Sequence, residues 1–108
     1  MPTYTIKILA SGQTSGSQAN IYAPSGVKAI VKTMKFVNTH TIAVTLDVWI
    51  LPSGGTARRI FPVALSIPAG GMAEEDSEIT LGDGDSIQAQ ASVASKIDFV
   101  VLGVTETD

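Results

Sequence analysis

Residues 41–60 read TIAVTLDVWILPSGGTARRI. The first eleven alternate without a break. Ile42, Val44, Leu46, Val48 and Ile50 share one parity; Thr41, Ala43, Thr45, Asp47, Trp49 and Leu51 share the other. A period of two over this length, rich in β-branched side chains, specifies a long half-buried strand. It stops at Pro52-Ser53-Gly54-Gly55, and a second extended stretch follows. There Arg59–Ile67 places Phe61, Val63, Leu65 and Ile67 on one face, and Pro62 confines the strand to an edge or a bulge because proline donates nothing to the ladder.

The same punctuation recurs as Pro24-Ser25-Gly26 and Pro68-Ala69-Gly70-Gly71. Proline presets φ for the second position of a tight turn and glycine supplies positive φ, so each stop reads as a turn between strands. Their separations, 28 and then 16 residues, follow no fixed period, which excludes a repeat protein.

Further out, Val27–Asn38 is extended but imperfectly patterned. Ile30, Met34 and Phe36 share one parity, Val31 and Val37 the other, and Lys32 falls between, so a bulge or a change of partners is expected. Ser86–Ser92 alternates Ile87, Ala89 and Ala91 against polar residues. Lys96–Thr105 alternates Ile97, Phe99 and Val101 against Asp98, Val100 and Leu102. Short strands are expected at Tyr4–Leu9, Asn20–Ala23 and Glu78–Leu81. No segment longer than about eight residues carries a 3.6-residue period. The pattern specifies an all-β chain, a sandwich or barrel of about eight short strands. Residues 1–108 read as a single domain of this kind. Within it, residues 1–19 are an N-terminal strand plus a flexible loop or arm, because Ala10–Ala19 (ASGQTSGSQA) is small, polar and unpatterned.

The chain has no cysteine, which excludes disulfides, thiolate metal sites and cysteine catalysis. No secretion signal is expected from Met1-Pro2-Thr3-Tyr4-Thr5-Ile6-Lys7, and no apolar run approaches the roughly 20 residues of a membrane helix. A net charge of −3 argues against nonspecific nucleic-acid binding. The charges are unevenly placed. Residues 1–70 hold six Lys or Arg and one acid (Asp47); residues 71–108 hold one Lys and nine acids. Two readings stand: a basic and an acidic sheet edge facing each other within the domain, or complementary patches between subunits.

Few residues suggest chemistry. His40 is the only histidine, in the polar turn Asn38-Thr39-His40-Thr41, with no second histidine for a metal pair. Asp83-Gly84-Asp85 is too short for an EF-hand and reads as a glycine hairpin turn, with calcium as the minor alternative. Glu74, Glu75, Asp76 and Glu78 crowd into a stretch that reads as a solvated loop. A hydrolase lacks a nucleophile–base pair here, and no catalytic residue, cofactor or metal site is expected. Trp49 lies on the face opposite the apolar one, so it is covered by a loop, buried at an interface or free to stack on a sugar. Arg58 and Arg59 are either a solvated strand start or partners for an acidic loop.

Several stretches together resemble a class of small structural proteins encoded by tailed bacteriophages. They are Tyr22-Ala23-Pro24-Ser25-Gly26, Ala29-Ile30-Val31-Lys32, Asn38-Thr39, Val44-Thr45-Leu46, Trp49–Gly55, Ile67-Pro68-Ala69-Gly70 and Gly84–Ala89. The resemblance spans roughly residues 20–104 and leaves 1–19 outside. It implies a jelly-roll-like β-sandwich that is part of the virion, assembled in the bacterial host cytoplasm. The implied role is a capsid decoration or cement protein that binds the major capsid protein and its own copies as a homo-oligomer. A neck, tail or fibre-base component is the alternative it implies. Apart from the resemblance, a carbohydrate-binding sandwich is a second alternative, because sandwiches often carry sugars on a face or loop end. No catalytic residue is carried over. The expected contact residues are Trp49, Arg58 and Arg59, with Glu74, Glu75 and Asp76 as their partners.

Overall fold

The computed structural model describes residues 3–76 and 78–107. They form ten strands and no helix: β1 (Thr3–Gln13), β2 (Ala19–Tyr22), β3 (Lys28–Asn38), β4 (Val44–Leu51), β5 (Arg58–Arg59), β6 (Leu65–Ile67), β7 (Met72–Glu75), β8 (Ile79–Leu81), β9 (Ser86–Ala91) and β10 (Ile97–Thr107). All pairs are antiparallel. Sheet one runs β1-β10-β3, with β7 and β8 both on the far side of β3. Sheet two runs β2-β9-β4, with β5 and β6 both on the far side of β4. Each of those short pairs fills one interrupted position. Eight positions result, ordered 1-8-3-6 in one sheet and 2-7-4-5 in the other. This is the jelly-roll arrangement, and it reconciles ten strands with the expected eight.

The core lies between the sheets and follows the alternation. Val44, Leu46 and Val48 of β4, Ile87 and Ala89 of β9, and Ile97 and Val101 of β10 are fully buried. Phe36 meets Phe61 edge to face, with centroids 5.6 Å apart. In β3 the inward set is Ala29 and Val31, then Met34 and Phe36. The parity changes at Lys32, where β3 carries one more residue than β10. At the same place β3 exchanges partners, from β8 over residues 29–31 to β7 over 34–37. The bulge and the change of partners, read from the sequence as alternatives, occur together.

Three local readings are revised. The stretch Arg59–Ile67 is not one strand: β5 and β6 are separated by Pro62 and by Ala64, whose φ is +52°. Phe61 still turns inward, whereas Val63 is exposed. Glu74 and Glu75 lie in a strand, β7, rather than a loop, because backbone pairing with β3 needs no apolar alternation. The segment Ala10–Ala19 divides: Ala10–Gln13 continue β1 along β10, and the turn that follows is tied down by Thr14 N–H to the Ile97 carbonyl (2.9 Å) and Ala91 N–H to the Ser15 carbonyl (3.0 Å).

Two of the proline stops are hydrogen-bonded turns, with a different register from the one expected, and the remaining one, at Pro24-Ser25-Gly26, is a bend. Gly55 N–H donates to the Pro52 carbonyl and Gly71 N–H to the Pro68 carbonyl, so proline is the first residue of each turn. The third is Gly54 or Gly70, with φ near +70°, which a side chain adopts only under strain. The second glycine has another reason. A Cβ on Gly71 would stand 2.8 Å from the Pro68 ring.

A residue passed over in the sequence organises the end of the sandwich that holds the Pro68 turn. Asn38 is fully buried. Its side-chain amide reaches the carbonyls of Ile42 and Ile67 (both 2.9 Å) and Pro68 (3.2 Å), and its Oδ1 accepts from His40 N–H (2.8 Å). Its backbone bonds Gly70 and Gly71. Asn38→Ala strands buried carbonyls and is expected to cost about 3 kcal/mol. Thermal unfolding should show a Tm lower by roughly 15 °C.

Candidate functional site

Trp49 and Asp47 project from the outer face of β4, two residues apart on the same parity. The hairpin around Gly54 sets Trp49 opposite Arg59. On the other side Trp49 faces Gln88 of β9. The Arg59 guanidinium lies 4.9 Å from the centroid of the indole, a cation–π contact. The same guanidinium donates through Nη1 to Asp47 Oδ1, which also accepts the N–H of Ala64 (2.8 Å). Asp47 thus holds Arg59 down over Trp49 and fixes the reversed backbone at Ala64. Trp49 is left only 7% exposed. The cover comes from a strand residue, Arg59 of β5, and not from a loop, and it leaves little of the indole surface for a sugar ring. Arg58, opposite Ile50, is exposed.

Glu74 and Glu75 belong to sheet one, so the two expected sets of contact residues sit on different sheets. Glu74 is the cross-strand partner of Lys35 and Glu75 that of Met34; Asp76 follows at the end of β7 and is exposed. The basic and acidic halves of the chain interleave in sheet one. Lys28 stands opposite Glu106, Lys35 opposite Glu74, and Lys32 bonds Glu78. These surface pairs contribute little individually, but they bring opposite charges together within the sandwich.

The turn Gly82–Asp85 brings together two of the proline stops. Asp83 Oδ1 accepts Gly26 N–H (3.0 Å), and Asp85 accepts Ser53 N–H and Gly82 N–H (both 2.8 Å). The bend at 24–26 and the turns at 52–55 and 82–85 therefore converge at one end of the sandwich. Both carboxylates act as acceptors for backbone N–H, the role a hairpin asks of them. The two backbone donors hold the Asp85 carboxyl below its ordinary value of 3.8. Among the described residues no three acidic or histidine side chains gather as a metal site. His40 stays local, its Nδ1 accepting from Thr41 N–H (2.8 Å).

No family model matches the chain, and no curated protein sequence matches it. Solved structures do. A chain from the acid-stable capsid structure of Helicobacter pylori bacteriophage KHP30 aligns at a TM-score of 0.55 and 15% identity, over 100% of this chain and 99% of that one. A chain from the structure of infectious bursal disease virus, Gx strain, aligns at 0.54 and 13% identity, over 98% of this chain; this chain spans about a third (32%) of the viral one. A pentameric capsid protein isolated from metagenomic phage sequences aligns more loosely, at 0.38 and 16% identity. At these identities the likeness to the first two is one of fold, the jelly-roll β-sandwich.

Two outcomes test the geometry. Asp47→Ala frees Arg59 and Ala64 N–H, and is expected to cost about 2 kcal/mol in urea unfolding. The single tryptophan reports it directly: emission should shift to the red as Trp49 is uncovered. Asp85→Asn should lower Tm at neutral pH. Because the folded carboxyl titrates below 3.8, its contribution is present above that value and lost as pH falls through the folded one. The gap between variant and wild type should therefore close in acid.

Proposed function

We propose that the chain is a structural virion protein of a tailed bacteriophage, a single-domain capsid decoration or cement protein that stabilises the head through the major capsid protein and its own copies. The observation that carries this reading is the chain-for-chain alignment with a component of a phage capsid structure, two jelly rolls of nearly equal length. The family resemblance of the turn-and-strand motifs between Tyr22 and Ala89 points the same way. The buried core is almost wholly apolar, and the candidate contact residues lie on edges and outer faces.

Arg58, Glu74 and Asp76 are the exposed charges proposed to meet neighbouring subunits or the capsid lattice. Glu75 belongs to the same acidic group. Arg59 and Trp49 support that surface from beneath, through Asp47.

The test uses the major capsid protein of the phage that carries this chain. Empty shells are mixed with the purified protein, sedimented and melted. The protein is expected to co-sediment at a fixed stoichiometry and to raise the shell melting temperature by about 5 °C. Arg58→Glu should weaken co-sedimentation at low salt and leave the protein's own Tm within about 2 °C. Binding to purified tails and not to shells would replace the head role by the neck or tail role; binding to neither would overturn the virion reading.

A further inference from the structure

Four edges bound the two sheets, and three are blunted. The β2 edge is four residues long, shifts register between Asn20 and Tyr22, and runs into Pro24. The β5–β6 edge is broken by Pro62 and the reversed Ala64. The β7–β8 edge is interrupted and carries Glu74, Glu75, Asp76 and Glu78. Short strands, bulges, prolines and charge are the devices by which sheets avoid pairing with other chains.

The fourth edge has almost none of them. β1 is eleven residues long. From Thr3 to Ile8 its register with β10 is unbroken, its only charge is Lys7, and all six residues are exposed. Tyr4, Ile6 and Ile8 share one parity and are 61%, 87% and 61% exposed. Ile6 stands opposite Val104 and Ile8 opposite Leu102, and these four side chains, with Lys7, Lys32 and Gly103, line one largely apolar groove on the outside of sheet one.

We propose that β1 is a self-pairing edge, where a second copy of this chain adds its own β1 antiparallel to the first about a two-fold axis perpendicular to the sheet. Charge selects this occupant. The acidic β7–β8 edge of another copy would desolvate four carboxylates against an apolar stripe whose own strand carries only Lys7, the nearby Lys32 being already bonded to Glu78. A second β1 brings a matching apolar stripe and a single Lys7.

The two-fold also restricts the register. It keeps both outer faces on one side, so opposed residues share parity. Centring on Lys7 would set two cations directly opposite each other, which is unfavourable. Centring on Ile6 sets Ile6 against Ile6, Tyr4 against Ile8 and Lys7 against Thr5. The result is one continuous sheet of eight strand positions. This contact uses neither Arg58 nor the acidic residues of the proposed lattice surface.

The absence of cysteine makes the test direct. Ile6→Cys in the full chain should form a disulfide-linked dimer under mild oxidation, at least about tenfold faster than Ser25→Cys in an exposed bend. Wild-type protein should run in solution at twice its 11.2 kDa chain mass. Ile6→Lys should run as a monomer with an unchanged far-UV spectrum, since the side chain touches no core residue.

A monomeric wild type at every concentration would overturn the proposal, as would cross-linking of Ile6→Cys no faster than that of Ser25→Cys. Shell co-sedimentation of Ile6→Lys separates the two hypotheses. A monomeric variant that still binds shells leaves the virion role standing and confirms that Ile6 serves self-contact.

Discussion

The structure depends on the interior of β3 presenting one continuous apolar face while its sequence slips by a residue. Ala29 and Val31 point inward before Lys32, and Met34 and Phe36 after it. Without the extra residue one half of the strand would turn its apolar set to solvent. The partner strand must tolerate the kink. It does so through Gly103, where a Cβ would stand 2.1 Å from the Ile30 carbonyl oxygen. The same kink moves the far side of β3 from β8 to β7, which is why that position of the roll is filled by two short strands.

Around that spine the two ends are built by different chemistry. One is gathered by carboxylates: Asp83 and Asp85 accept backbone N–H from their own turn and from two proline stops. The other is gathered by an amide: Asn38 supplies both donors and an acceptor to a turn and to the strand end beyond it. Each closes a place where the chain crosses between sheets and where backbone polar groups would otherwise lack partners. The outer face of sheet two uses a third device, in which Asp47 fixes Arg59 over Trp49.

The long strands were legible because each buries one face. Ile42–Ile50, Ile87–Ala91 and Ile97–Val101 declare a period of two, and all but the flanking Ile42 carry it into the fold. β7 was not legible, since Met72-Ala73-Glu74-Glu75 has no apolar stripe and is held by backbone pairing at an edge. Asn38 was hidden for a related reason: a polar residue in Asn38-Thr39-His40-Thr41 looks solvated until three carbonyls converge on it. Trp49 was visible as an anomaly of parity, but its cover was not identified. The signal was present in the hairpin itself. Folding the chain about Gly54 pairs position 49 with 59 and so brings an arginine onto the indole. Charge asymmetry along the chain told least, because the roll interleaves its halves and sets Lys28 and Lys35 opposite Glu106 and Glu74.

The first and last strands are neighbours, with Thr3 opposite Thr107. Both ends of the described chain therefore leave the sandwich at one corner. A load applied across them would peel β1 from β10 one rung at a time instead of shearing all the rungs together. The fold is mechanically soft in that single direction. Force entering through the loop ends, along the strands, meets the full ladder at once. A protein of this shape is strongest when held by its turns and faces, and attachments made at Thr3 and at Thr107 emerge at the same point on its surface.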